Sequence, residues 1–70
     1  PMDLNILEQL ALKQGFATGR IHNALHIGWH TKGTIAWEEV RWFSTGDGHA
    51  RLDFIDRDNV PTSMLALLNG

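Results

Sequence analysis

Residues 21–30 read IHNALHIGWH, and the secondary structure that this stretch adopts decides the fold. Apolar side chains fall mostly on its odd positions and histidines on its even positions, a period-two alternation typical of a half-buried strand. The stretch also has apolar residues at helical spacing, such as Ile21 and Leu25, and Thr18 could cap such a helix. Periodicity alone leaves the strand and the helix open.

The residues that follow favour the strand. Lys32 and Gly33 can form a two-residue hairpin loop, although Lys-Gly is a weaker turn signal than Asn-Gly. The register that this loop sets predicts four cross-strand pairs, which are Trp29 with Ala36, Leu25 with Val40, Asn23 with Trp42, and His26 with Glu39. One face of the hairpin then carries mainly apolar side chains, including Trp29 and Trp42, and is expected to face the core. Glu38 is the misfit on this face, which a bulge or an edge position would explain.

A helix is predicted before the hairpin, over residues 4–14. Leucines recur there at helical spacing, with polar side chains on much of the other side. Asp3 or Asn5 can cap its start, and Gly15 can end it in the left-handed conformation.

The second half of the chain predicts a third strand and a final helix. Residues 44–48 read STGDG, the clearest turn signal in the chain. Apolar and charged residues alternate over 50–54, as in a strand with one buried face. Pro61 or Thr62 can begin a helix that carries the apolar residues up to Leu68.

The order of these elements predicts an α+β fold with an N-terminal helix, a three-stranded antiparallel meander and a C-terminal helix. The apolar face of the meander would pack against the helices. The alternative is a winged helix-turn-helix fold, with helices near 19–30 and 34–43 and a hairpin from about 41 to 56. In that fold the helix starting at Thr34 would approach the major groove of DNA.

The composition is that of an ordinary small globular domain. The 70 residues are 43% hydrophobic and 20% charged and include no cysteine, so we expect a single small domain over residues 1–70 without disulfides. No apolar run reaches the roughly 20 residues that cross a bilayer, and the first residues lack signal-peptide features. We therefore expect a cytoplasmic protein without a membrane partner. The net charge of −2 and the lack of a basic run count against nucleic acid as a partner.

No motif for catalysis or for a cofactor is present. Glu38 and Glu39 are adjacent, so their side chains diverge in a helix or a strand, and neither serine lies in a nucleophile motif. His22, His26 and His30 are spaced by four, which brings neighbours within about 5–6 Å on a helix but about 13 Å apart on a strand. We therefore expect no enzyme, no cofactor and no metal site. A histidine metal site is kept as an alternative that requires the helix.

Aromatic and charged residues on the other face of the hairpin form the candidate binding surface. Its six residues are His26, Ile35, Trp37, Glu39, Arg41 and Phe43. Tryptophan and arginine dominate the energetics of protein-binding surfaces, and exposed apolar patches mark such surfaces. This surface is open if both helices pack on the core face, and covered if each helix takes one face.

These observations predict a small non-catalytic protein-binding module. It would dock an aromatic sheet face on a larger protein or on a second copy of itself, as a homo-oligomer. Its size and composition are analogous to those of small inhibitors and accessory factors of phages and plasmids. No small-molecule substrate is indicated. The alternatives are a winged-helix DNA-binding regulator and a histidine metal-binding protein.

Overall fold

A four-stranded antiparallel sheet lies between an N-terminal helix and a short C-terminal helical segment. The computed structural model describes residues 2–70. The elements are α1 (Leu4–Lys13), β1 (Ala17–Ile21), β2 (Ala24–Thr31), β3 (Thr34–Ser44), β4 (Ala50–Phe54), a 3-10 turn (Arg57–Asn59), α2 (Thr62–Leu65) and a second 3-10 turn (Ala66–Asn69). The strands lie in the order β1-β2-β3-β4. The α+β class, the two helices and their places in the chain are confirmed, whereas the sheet has four strands rather than three.

Local signals define α1 as predicted. The Asp3 side chain accepts a hydrogen bond from the Ile6 backbone N–H at 2.8 Å, which satisfies one free amide of the first turn. Leu7 and Ala11 are fully buried on its inner side. After the helix ends, the Phe16 N–H donates to the Ala11 carbonyl at 2.9 Å and turns the chain into β1.

The strand that sequence reasoning missed is β1. His22 and Asn23 have φ values of +51° and +66°, and they form a two-residue turn between β1 and β2. Two positive φ values suit the twist of a tight hairpin, and asparagine tolerates them better than most residues. The predicted pairing of Asn23 with Trp42 is therefore wrong. Trp42 instead lies opposite Leu52 of β4.

The second hairpin follows the predicted register. Lys32 and Gly33 form its loop with φ values of +50° and +80°. The pairs Trp29 with Ala36 and His26 with Glu39 are confirmed. The winged helix-turn-helix alternative is wrong, because the ranges 19–30 and 34–43 that it required as helices lie in the strands β1, β2 and β3 and the turn between them.

The hydrophobic core lies on one face of the sheet, here called the inner face. Its buried members are Leu7, Ala11, Leu25, Ile27, Val40, Leu52, Phe54, Val60, Met64 and Leu67. This set joins α1, the sheet and the C-terminal segment in one cluster. Both helices therefore pack on the inner face. No helix within residues 2–70 is long and apolar enough to cross a membrane.

Two inner-face residues depart from expectation. Trp42 alternates with the buried Val40 but is 50% exposed, so its predicted place in the core is wrong. It lies near the end of β3, opposite the buried Leu52. Glu38 is accommodated because its Oε1 accepts the backbone N–H of Asp56 at 3.3 Å and that of Glu39 at 3.2 Å.

Candidate functional site: the outer face of the sheet

The face of the sheet opposite the core, here called the outer face, carries the predicted binding surface. Because α1 and the C-terminal segment both belong to the inner-face core, the described chain has no helix over the outer face. Ile35 and Phe43 are each 37% exposed there, and Trp37 is 46% exposed. Large apolar side chains are thus partly exposed to solvent on a regular, hydrogen-bonded sheet.

Two glycines shape the position of the Trp37 side chain. Gly28 lies opposite Trp37 in the hairpin, and a Cβ atom at Gly28 would come within 2.9 Å and 3.0 Å of the indole Cε3 and Cζ3 atoms. A Cβ atom at Gly19 of β1 would lie 3.8 Å and 3.9 Å from the indole Cζ3 and Cη2 atoms. The ring therefore reaches across β2 to β1, in space that any larger residue at position 28 would occupy. Trp37 is both half-exposed and held in place, which suits a binding anchor.

Three polar side chains lie further along the outer face from Trp37. Glu39 Oε1 lies 3.8 Å from His26 Nε2, and Glu39 Oε2 accepts a hydrogen bond from Arg41 Nε. His26 Nδ1 also lies 3.1 Å from the Ala24 carbonyl oxygen. The His26 and Glu39 side chains are 16% and 20% exposed, whereas that of Arg41 is 64% exposed. The Arg41 guanidinium group is thus oriented by Glu39 and still open to a partner.

The outer face also includes residues of β4 and of the turn that follows it, which sequence reasoning did not assign to the binding surface. A shallow hollow of about 560 Å³ lies beside Phe43, with Arg51, Ile55 and Arg57 among its lining residues. Arg51 and Arg57 both approach the buried Asp53, with guanidinium nitrogens 3.4 Å and 3.7 Å from its Oδ2. The alternation over 50–54 was the signal that could have found Arg51, since it places this residue on the face that carries Phe43.

The histidines are placed far apart for a shared ion. His22 lies in the first hairpin turn, while His26 and His30 lie on the outer face of β2. A separation of four strand residues corresponds to about 13 Å. The helical assignment that the metal hypothesis required is therefore wrong. Among residues 2–70 there is no group of three or more His, Cys, Asp or Glu side chains that could hold a metal ion.

Comparison with protein-family models, with curated proteins and with solved structures gives no match. The fold alone does not specify a function, since function resides in particular sites. The function of this chain is therefore argued from the outer face, where the exposed aromatic side chains and the arginines are.

Proposed function

We propose that the protein is a non-catalytic binding module that docks the outer face of its sheet on a larger protein. The observation that carries this proposal is the placement of both helices on the inner face, which leaves Trp37 exposed on the other side. In this role the chain would act as a small inhibitor or accessory factor, by analogy of size and composition.

The composition of the outer face supports this proposal. It carries Ile35 and Trp37 towards one end of β3 and Phe43 towards the other, with the paired Glu39 and Arg41 side chains between them. Aromatic residues and arginine are enriched at protein interfaces relative to the rest of the protein surface. Removal of a central tryptophan from an interface commonly costs about 2 kcal/mol or more, which weakens binding roughly 30-fold.

Trp37 is already ordered before a partner binds, which lowers the entropy cost of binding. Trp37 packs over Gly28 and Gly19 in the free protein, so its ring does not have to be immobilised when the partner arrives. Immobilising a side chain at an interface costs about 0.5–1.5 kcal/mol. The Arg41 side chain is likewise oriented by Glu39 before binding.

Two tryptophans of similar exposure provide a matched test. Trp37 is 46% exposed on the outer face, and Trp42 is 50% exposed on the inner face. The tagged protein and its Trp37→Ala, Arg41→Ala and Trp42→Ala variants would each be incubated with a nuclease-treated lysate of the source organism. The retained proteins would then be quantified by mass spectrometry, after circular dichroism has shown that each variant is folded.

We expect one protein to be retained in stoichiometric amount by the unmodified chain and by Trp42→Ala. Retention should fall at least tenfold with Trp37→Ala and with Arg41→Ala. Equal retention by Trp37→Ala and Trp42→Ala would contradict the proposal, as would recovery of the bait alone. If the unmodified chain forms oligomers that Trp37→Ala abolishes, the occupant of the outer face is a second copy rather than a larger protein.

A further inference from the structure

The two edge strands of the sheet differ in how their outward backbone groups are satisfied. The Ile55 N–H donates to the Glu39 carbonyl at 3.1 Å, so these two residues form a hydrogen-bonded pair. Because hydrogen-bonded and non-hydrogen-bonded pairs alternate in an antiparallel ladder, the N–H and C=O groups of Leu52 and Phe54 point away from β3. The Phe54 N–H donates to Asp53 Oδ1 at 2.8 Å, and Leu52, Asp53 and Phe54 are all buried. The β4 edge is therefore covered over residues 52–54, and its Phe54 amide is capped.

The β1 edge is open. The two-residue turn makes Ile21 and Ala24 a hydrogen-bonded pair, and Gly19 therefore also bonds to β2. Thr18 and Arg20 alternate with these residues, so their N–H and C=O groups point away from the sheet. The hydrogen bonds of Thr18 and Arg20 outside the ladder involve only their side chains, within the described part of the chain. A row of free backbone groups on an edge strand is a template for another strand.

Apolar side chains flank this open edge on both faces. Ile21 is 56% exposed on the outer face at the end of β1. On the inner side, Glu8 of α1 accepts hydrogen bonds from the Thr18 hydroxyl at 3.4 Å and from the Arg20 guanidinium at 3.1 Å. Leu12 follows Glu8 by one helical turn on the same side of α1, and it is 49% exposed.

We propose that a second copy of this chain occupies the β1 edge, with the two β1 strands antiparallel and the two sheets continuous. This interaction is independent of the proposed docking of the outer face. The register that fits places Gly19 of both copies at the two-fold axis. Thr18 of each copy then lies opposite Arg20 of the other, and the four outward N–H and C=O groups of each strand all find partners.

The side chains agree with this register on both faces. On the outer face, Ile21 of one copy lies opposite Ala17 of the other, and the two Gly19 residues leave room for the Trp37 rings that reach towards them. On the inner face, each Arg20 lies opposite a threonine. A shift of two residues would place the two Arg20 side chains directly opposite each other, and like charges in that position are destabilising.

Sedimentation equilibrium of the intact chain and its variants tests the proposal. Thr18→Pro removes an N–H that points away from β2, a position where a strand tolerates proline. Ile21→Lys adds a charge at the open edge, and Ile55→Lys is its matched control, since Ile55 is 48% exposed beside the opposite edge. We expect the unmodified chain, Ile55→Lys and Trp37→Ala to sediment at twice the 7.9 kDa mass of the chain. Thr18→Pro and Ile21→Lys should each raise the dimer dissociation constant at least tenfold.

Amide exchange gives a second readout that does not depend on a proline variant. The Thr18 and Arg20 amides should exchange slowly in concentrated protein and rapidly in dilute protein or in Ile21→Lys. A monomer at every accessible concentration would overturn the proposal. So would an equal effect of Ile21→Lys and Ile55→Lys, or a dimer that only Trp37→Ala dissociates. In that last case the outer face joins the copies, so the edge proposal fails and the occupant of the outer face is a second copy.

Discussion

Replacement of Gly28 by alanine tests the placement of Trp37, on which the binding surface depends. The new methyl carbon would lie 2.8 Å from Ile35 Cγ2 and 2.9 Å and 3.0 Å from two atoms of the indole ring. Carbon atoms in contact normally lie about 3.5–4.0 Å apart, so the ring and the isoleucine methyl group must move. Because no helix of residues 2–70 packs on the outer face, the easiest movement lifts the ring into solvent.

The loss of unfolding free energy follows from the buried area that the Trp37 ring exposes when it is displaced. A buried aromatic side chain removes about 150–250 Å² from water. Trp37 is 46% exposed, so it buries about half of that, or roughly 100 Å². At about 25 cal/mol per Å², full displacement costs roughly 2–3 kcal/mol. Alanine restricts the unfolded chain more than glycine does, which offsets about 0.4–1 kcal/mol. We expect Gly28→Ala to lower the free energy of unfolding by about 1–2 kcal/mol.

A double-mutant cycle isolates the contact between the new methyl group and the ring. In a Trp37→Ala background the ring is absent and Ile35 can rotate into the vacated space, so Gly28→Ala should become neutral or slightly stabilising. Gly19→Ala is the matched control, because its Cβ atom would lie at ordinary contact distances of 3.8 Å and 3.9 Å from the ring. Urea unfolding followed by far-ultraviolet circular dichroism gives each free energy. The same cost of Gly28→Ala in both backgrounds would refute the placement of the indole over Gly28.

Three further outcomes are expected from polar residues. Asp53→Ala removes the acceptor that caps the Phe54 amide at the β4 edge and should lower the free energy of unfolding by about 1–2 kcal/mol. The exposed edge should also increase light scattering at high concentration. Asp53→Asn should retain most of the stability. Glu38→Ala should cost about 1 kcal/mol in urea unfolding, and Glu38→Gln, which keeps an acceptor oxygen, should cost less. Hydrogen bonds from the Thr45 hydroxyl and then from the His49 backbone N–H lower the pKa of Asp47 below its ordinary value of 3.8. The resulting stabilisation is present above the unfolded-state pKa and is lost as the pH falls through the lower folded-state pKa. Asp47→Asn should therefore make thermal stability less sensitive to acid below about pH 4, and an unchanged acid profile would contradict this role.

Local signals in the chain were sufficient for several elements of the fold. The spacing of leucines and the Asp3 cap define α1, because both act within one or two helical turns. The Lys32-Gly33 loop, with its positive φ values, sets the register of β2 and β3, and a register decides which side chains share a face. That register and the alternation of strand side chains were enough to place the six residues of the candidate surface on the hairpin, and five of them alternate along one face of β3.

The missed strand β1 is a feature that local sequence signals did not specify. His-Asn is a weak turn signal compared with Asn-Gly, so nothing in the sequence separated β1 from β2. Trp42 was expected in the core because it alternates with Val40, yet alternation determines only the face on which a residue lies. Its exposure of 50% depends on how far the helices extend along β3.

The sequence by itself determined the α+β class, the helix positions, one hairpin register and which residues of that hairpin share each face. These features arise from the period-two geometry of strands, the 3.6-residue period of helices and the chemistry of caps and turns, which neighbouring residues specify. Only the tertiary structure decided that both helices lie on the inner face, that Trp37 rests over Gly28 and Gly19, and that one sheet edge is capped while the other is open. These features depend on contacts between residues distant in the chain, where the burial of whole elements outweighs any local preference.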